Sequence, residues 1–100
     1  MTVKCIEFYV YKVTDPARAA RARESAMKAI GTYDGFRSWR GLASIEEPNL
    51  FIDYVEWQDA DAARAAQKTF CADPRTRDFM AAIESMVAMS HCEQTAALAA

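Results

Sequence analysis

Few residues in this sequence are able to move a proton. His91 is the only histidine, so imidazole acid–base chemistry falls on it by elimination. It stands in line with Val87 and Met89 on the last predicted strand. That placement suits a pocket wall or a subunit interface, and equally a histidine hydrogen-bonded near a strand end. Glu7 is the second candidate. It lies mid-strand among the apolar residues of CIEFYVYKV, where burial can turn a carboxylate into a general base. Pairing with an arginine across an interface is the alternative for Glu7.

A flat apolar ligand would find partners in Tyr54, Trp57, Phe70 and Phe79, since small-molecule sites are mostly apolar with a few placed polar groups. The same four residues also suit an ordinary core. The sequence has no glycine-rich phosphate loop, no G-x-S-x-G and no H-E-x-x-H, which leaves nucleotide hydrolysis and triad chemistry without support. One histidine rules out the multi-histidine metal sites. Cys5, Cys71 and Cys92 are odd in number and lack C-x-x-C spacing, so they read as three small buried thiols rather than a disulfide framework or a zinc site.

The elements that must position these residues follow from periodicity. Val3 to Val13 alternates as a strand, with Ile6, Phe8 and Val10 on one face and Cys5, Glu7, Tyr9 and Tyr11 on the other. TDP starts a helix, Asp15 as cap and Pro16 in the first turn. It runs to about Tyr33, its apolar stripe formed by Ala19, Ala22, Ala26, Ile30 and Tyr33, and YDG closes it. Phe36 to Ile45 reads as the second strand, where Gly41 marks a bulge. EEPN turns the chain into the third strand, FIDYVEW, which carries bulk on both faces. A second helix starts after the Asp59 cap, with Ala62, Ala63, Ala66 and Phe70 inward. Asp73 and Pro74 break it and restart helix, with Phe79, Met80, Ile83 and Met86 on one side. Val87 to Cys92 forms a short last strand, and the tail 93–100 is expected to fray.

This order predicts an α+β, ferredoxin-like β-α-β-β-α-β domain over residues 1–100, with an ordered core of about 3–92. Its four-stranded antiparallel sheet carries helices on one face and its second helix is broken in two. The other sheet face is bare. Placing Ile6, Phe8 and Val10 against the helices leaves Tyr9, Tyr11 and Cys5 on that bare face, and an apolar patch of this kind asks for a second copy of the chain. Glu7, Asp53 or Glu56 would then meet Arg37 or Arg40 in the interface. The first strand should lie between the third and fourth, which brings Cys5 near Cys92; in a reducing compartment both are expected to stay thiols.

The chain of 100 residues is 52% hydrophobic and 26% charged, with a formal charge of −2. That is the composition of a folded domain with no electrostatic case for nucleic acid. Arg18, Arg21 and Arg23 cluster on the first helix, read as a solvated face. The amino terminus lacks a signal-peptide pattern and no apolar run approaches the ~20 residues of a membrane span. A cytoplasmic protein that engages neither membrane nor nucleic acid is the expectation.

YDGFRSWRGLAS, EEPNLFIDYVEW and DADAARAAQKTF resemble the helix end and second strand, the tryptophan-terminated third strand, and the alanine-rich helix of the dimeric α/β-barrel proteins, within them the antibiotic-biosynthesis-monooxygenase-like group. The resemblance covers roughly residues 3 to 92 and implies a homodimer, forming a dimeric α/β barrel through facing sheets, with a small-molecule pocket between sheet and helices in each subunit. Members include cofactor-free oxygenases of aromatic polyketides, haem-degrading enzymes, isomerases and proteins without known activity. The helical histidine common in the group is absent, Ala66 and Gln67 occupying that neighbourhood. The first strand offers Glu7 where the haem-degrading branch uses asparagine, which argues against haem chemistry. Two functions follow as expectations. One is a monooxygenase-like enzyme acting on a small aromatic or polyketide-like compound with no cofactor, using His91 or Glu7 as base. The alternative is a non-catalytic homodimer with a small-molecule-binding or stress-related role.

Overall fold

The computed structural model describes residues 4–100. Val3, expected to open the first strand, lies outside the described residues. The elements run β1 (Cys5–Val13), α1 (Pro16–Ile30), β2 (Phe36–Ala43), β3 (Leu50–Trp57), α2 (Ala60–Ala72), a 3₁₀ turn (Pro74–Thr76), α3 (Arg77–Ala82) and β4 (Ile83–Cys92). The strands form one antiparallel sheet in the order β2-β3-β1-β4. This is the expected ferredoxin-like plan, β1 central and flanked by β3 and β4, with Cys92 opposite Ile6 and so one step from Cys5. Of the three cysteines expected to be buried, only Cys5 is; Cys71, near the end of α2, and Cys92, at the end of the edge strand β4, are exposed.

Local signals explain most of the boundaries. Asp15 accepts a hydrogen bond from the Arg18 amide at the start of α1, and Asp59 accepts one from the Ala62 amide at the start of α2, each satisfying a free N–H of a first turn. Asp73 caps the 3₁₀ turn through the Arg75 amide, with Pro74 following it. α1 stops at Ile30, three residues before the expected end, and the chain turns through Gly35 at φ 80°. A side chain there would also strike Ala62, whose Cβ lies 2.6 Å from where a Gly35 Cβ would be. The 3₁₀ turn and short α3 leave Ile83 and Met86 on β4, which is four residues longer than expected. Residues 93–100 carry no regular secondary structure.

Face assignment is the main correction. Glu7, Tyr9 and Tyr11 look toward the helices, together with Asp53, Val55 and Trp57 of β3. By alternation Ile6, Phe8 and Val10 take the open face, where Phe8 is 39% exposed. Strand one is bulky on both sides, so apolarity alone could not choose between them. What decides is that the polar ends of the inner-facing residues satisfy one another beneath the helices, as buried polar groups must.

Arg23 is the second correction. It is buried, not part of a solvated face, and its spacing from Ala19, Ala26 and Ile30 puts it on the inner stripe of α1. The guanidinium reaches Asp53 at 3.0 Å and lies 4.4 Å from the centre of the Phe51 ring. Gly41 is where it passes: a Cβ on Gly41 would meet Arg23 Nε at 2.5 Å. Gly41 is therefore a close approach, and the bulge of β2 falls instead between Phe36 and Ser38.

Candidate active site

Between the sheet and the helices lies a cavity of about 170 Å³. The sheet floor supplies Glu7, Tyr9, Tyr11, Asp53 and Trp57; Trp39 lines it from β2, and Ala66, Gln67 and Phe70 from α2. Tyr33, Phe79, Ile83 and Met86 complete the wall. The rings interlock edge to face: Phe79 contacts both Tyr11 and Phe70 in this way, and Phe36 meets Trp57, a favoured arrangement of aromatic quadrupoles.

Two carboxylates organise the floor. Glu7 is held at one end: Trp57 Nε1 donates to its Oε1 at 2.6 Å, and Tyr9 Oη donates to its Oε2 at 2.8 Å. His91 Nε2 lies 2.9 Å from the same Oε2. The pairing of β1 with β4 sets this last contact, since Glu7 and His91 are register partners. Asp53 sits in a separate cluster, accepting from Tyr11 Oη at 2.8 Å and from Arg23 Nη1 at 3.0 Å. Trp39 turns its Nε1 toward that carboxylate without closing a hydrogen bond.

Electrostatics separate donors from acceptors. Burial, reinforced by Glu7, pushes the Tyr9 phenol well above its ordinary range, and burial with Asp53 does the same to Tyr11. Both therefore stay protonated and act as donors. Burial also raises Asp53, opposed by Tyr11 and Arg23. Tyr33 is pushed up to about 12, first by burial and then by its hydrogen bond to Asp73 at 2.7 Å.

The candidate residues thus divide. Glu7, Trp57, Phe70 and Phe79 line the cavity. His91 does not line it; it stands behind Glu7 with its side chain 26% exposed. Tyr54 belongs to the open face, its ring 5.7 Å from the Arg40 guanidinium, and is corrected from a pocket residue to a surface one. Within the chain, Asp53 pairs with Arg23 and Glu56 with Lys4, while Glu7 is engaged by Tyr9, Trp57 and His91 rather than by an arginine. Tyr9, Tyr11, Tyr33 and Trp39 were not anticipated. For Tyr9 and Tyr11 the signal was parity, because Glu7, Tyr9 and Tyr11 recur on alternate positions, as do Asp53, Val55 and Trp57. Among the described residues no group of three or more His, Cys, Asp or Glu side chains is placed to hold a metal ion.

No protein-family model and no curated protein matches the sequence. Solved structures do match in shape. The crystal structure of SnoaB, a cofactor-independent oxygenase from Streptomyces nogalater, superposes with a TM-score of 0.71 at 19% identity, covering 98% of this chain and 97% of that one. A candidate antibiotic biosynthesis monooxygenase from Bordetella bronchiseptica gives a TM-score of 0.79 at 13% identity, over 97% of this chain and 100% of the other. One from Chloroflexus aurantiacus gives 0.70 at 11% identity, over 96% and 97%. The fold is that of the antibiotic-biosynthesis-monooxygenase-like proteins. Coverage this complete means that the shared fold includes the helices over the sheet, and so the two layers between which the cavity lies. At such identities the likeness carries the architecture and not the chemistry.

Proposed function

We propose that the protein is a cofactor-independent, monooxygenase-like enzyme acting on a small aromatic compound, with Glu7 as its base. The observation that carries this reading is the Glu7 carboxylate on the wall of a mostly apolar, aromatic-rich cavity, where the other carboxylate, Asp53, is already paired with Arg23, on a fold shared with SnoaB. A carboxylate positioned there can act as a general base toward an acidic O–H, or toward a benzylic C–H that is also α to a carbonyl. The substrate then supplies its own electrons. Its carbanion adds to O₂, and the resulting hydroperoxide loses water to leave a carbonyl where the CH₂ stood. Size restricts the choice: an apolar cavity of roughly 150 Å³ accommodates one benzene ring, so about 170 Å³ suits one ring or two fused rings better than an extended polyketide.

The working unit of this reading is a homodimer. Phe8, at 39%, and Leu42, at 50% exposed, share the open sheet face with Val10, Ile52 and Tyr54, and a self-complementary second copy would cover it. Oxygen uptake with small hydroquinones and benzylic ketones tests the enzyme. Turnover that is lost in Glu7→Gln supports it, and no uptake with any of them removes it. A binding-only role is the second reading, favoured by the three partners that already engage the Glu7 oxygens.

A further inference from the structure

We infer that His91 is the relay through which Glu7 exchanges protons with solvent, an inference that rests on Glu7 being the base of the cavity. Three side chains touch the Glu7 carboxylate. The Trp57 indole N–H is a donor only, and burial together with Glu7 holds Tyr9 as a protonated phenol. Neither can take a proton away. The third is His91, and imidazole as a class gains and loses a proton near neutral pH. Its position completes the path: the Glu7 side chain is 5% exposed and the His91 side chain 26%, so the pair spans from the cavity wall to water. Cys5 is a further titratable group close to Glu7, and burial raises its thiol, which keeps it protonated.

The proton balance is closed at each step. The relay starts from the Nε2–H tautomer of His91, donating to the Glu7 carboxylate with Nδ1 bare. Glu7 takes the substrate proton and becomes a neutral acid. The exposed ring exchanges tautomers with water, moving its proton to Nδ1, so that Nε2 accepts the proton from Glu7. The imidazolium then releases its Nδ1 proton to water, which restores the resting pair. Run backwards, the same path returns a proton from solvent to the anion in the cavity. His91 thus acts through Glu7 and touches no substrate.

Exchange under nitrogen tests this without O₂. 2-Tetralone, which carries acidic benzylic protons, is held in D₂O at concentrations where tryptophan fluorescence shows the cavity filled, and loss of its C1 protons is followed by NMR. The wild type should wash deuterium into C1, and Glu7→Gln should not. His91→Gln keeps an N–H for Glu7 but carries no proton, so exchange should fall by roughly a hundredfold and recover when imidazole is added. Wild-type exchange rates in His91→Gln, or no exchange by the wild type with the cavity filled, would overturn the relay. A second readout needs no variant: the ring nitrogens of the single histidine should report the Nε2–H tautomer, and a neutral ring protonated on Nδ1 would contradict it. Exchange without oxygen uptake removes the oxygenase reading alone, whereas oxygen uptake without exchange removes the relay alone.

Discussion

Arg23 of α1 passes over Gly41 of β2 to reach Asp53 of β3, closing a 3.0 Å ion pair that is buried on both sides. A buried pair adds little net stability when intact but is costly to break, because the remaining charge has no partner. Arg23→Leu should therefore destabilise the protein by about 3–5 kcal/mol, measured by urea denaturation. Gly41→Ala should cost about 1–3 kcal/mol by pressing on the guanidinium, and combining it with Arg23→Leu should cost less than the sum. Additive costs would show that Gly41 and Arg23 do not share space.

Gly35 faces two separate constraints, a positive φ and the Ala62 methyl group. Gly35→Ala should lose about 1–2 kcal/mol from backbone strain alone, with a further loss from the clash. Ala62→Gly in the same protein should recover the clash and leave the strain. Thermal melts of the two single variants and the double variant separate these contributions.

Trp57 and Glu7 meet through a 2.6 Å hydrogen bond inside the cavity. Trp57→Phe keeps the ring packing and leaves Glu7 Oε1 without its donor, a loss of about 1–3 kcal/mol for a buried polar group. A stability indistinguishable from wild type in chemical denaturation would mean that water replaces the indole.

Three of the four tyrosines, Tyr9, Tyr11 and Tyr33, have phenols raised by burial and by neighbouring carboxylates. For Tyr33 the folded value of about 12 exceeds the unfolded value of about 10, so the folded state favours the phenol. Its stabilisation is complete below pH of about 10 and is lost as pH rises from there through about 12. Phenolate absorbance at 295 nm should lag in the native protein relative to the urea-unfolded chain. Coincident titration curves would contradict the buried hydrogen bonds.

Pairing of two copies through the open face predicts a species of twice the 11.2 kDa chain mass in sedimentation. Phe8→Lys places a charge in the middle of that face and should shift the equilibrium to the single chain, with the cavity-facing side of β1 unchanged. A wild type that sediments as one chain at micromolar concentration would show that the face tolerates water.

The order of elements, the capping aspartates, the proline that breaks the second helix and the two-sided bulk of the strands were all legible in the sequence, because each rests on interactions within a few residues along the chain. Glu7 and His91 were singled out by chemical type, yet nothing local showed that they touch; the pairing of β1 with β4 did that, across 84 positions. Which face of β1 turns inward was also a tertiary decision. Ile6, Phe8 and Val10 are as apolar as a core requires, but Glu7, Tyr9 and Tyr11 find their hydrogen-bond partners only beneath the helices, where Trp57, Asp53 and Arg23 converge. Periodicity marks which residues travel together, and only the assembled layers determine which set can satisfy its polar atoms away from water.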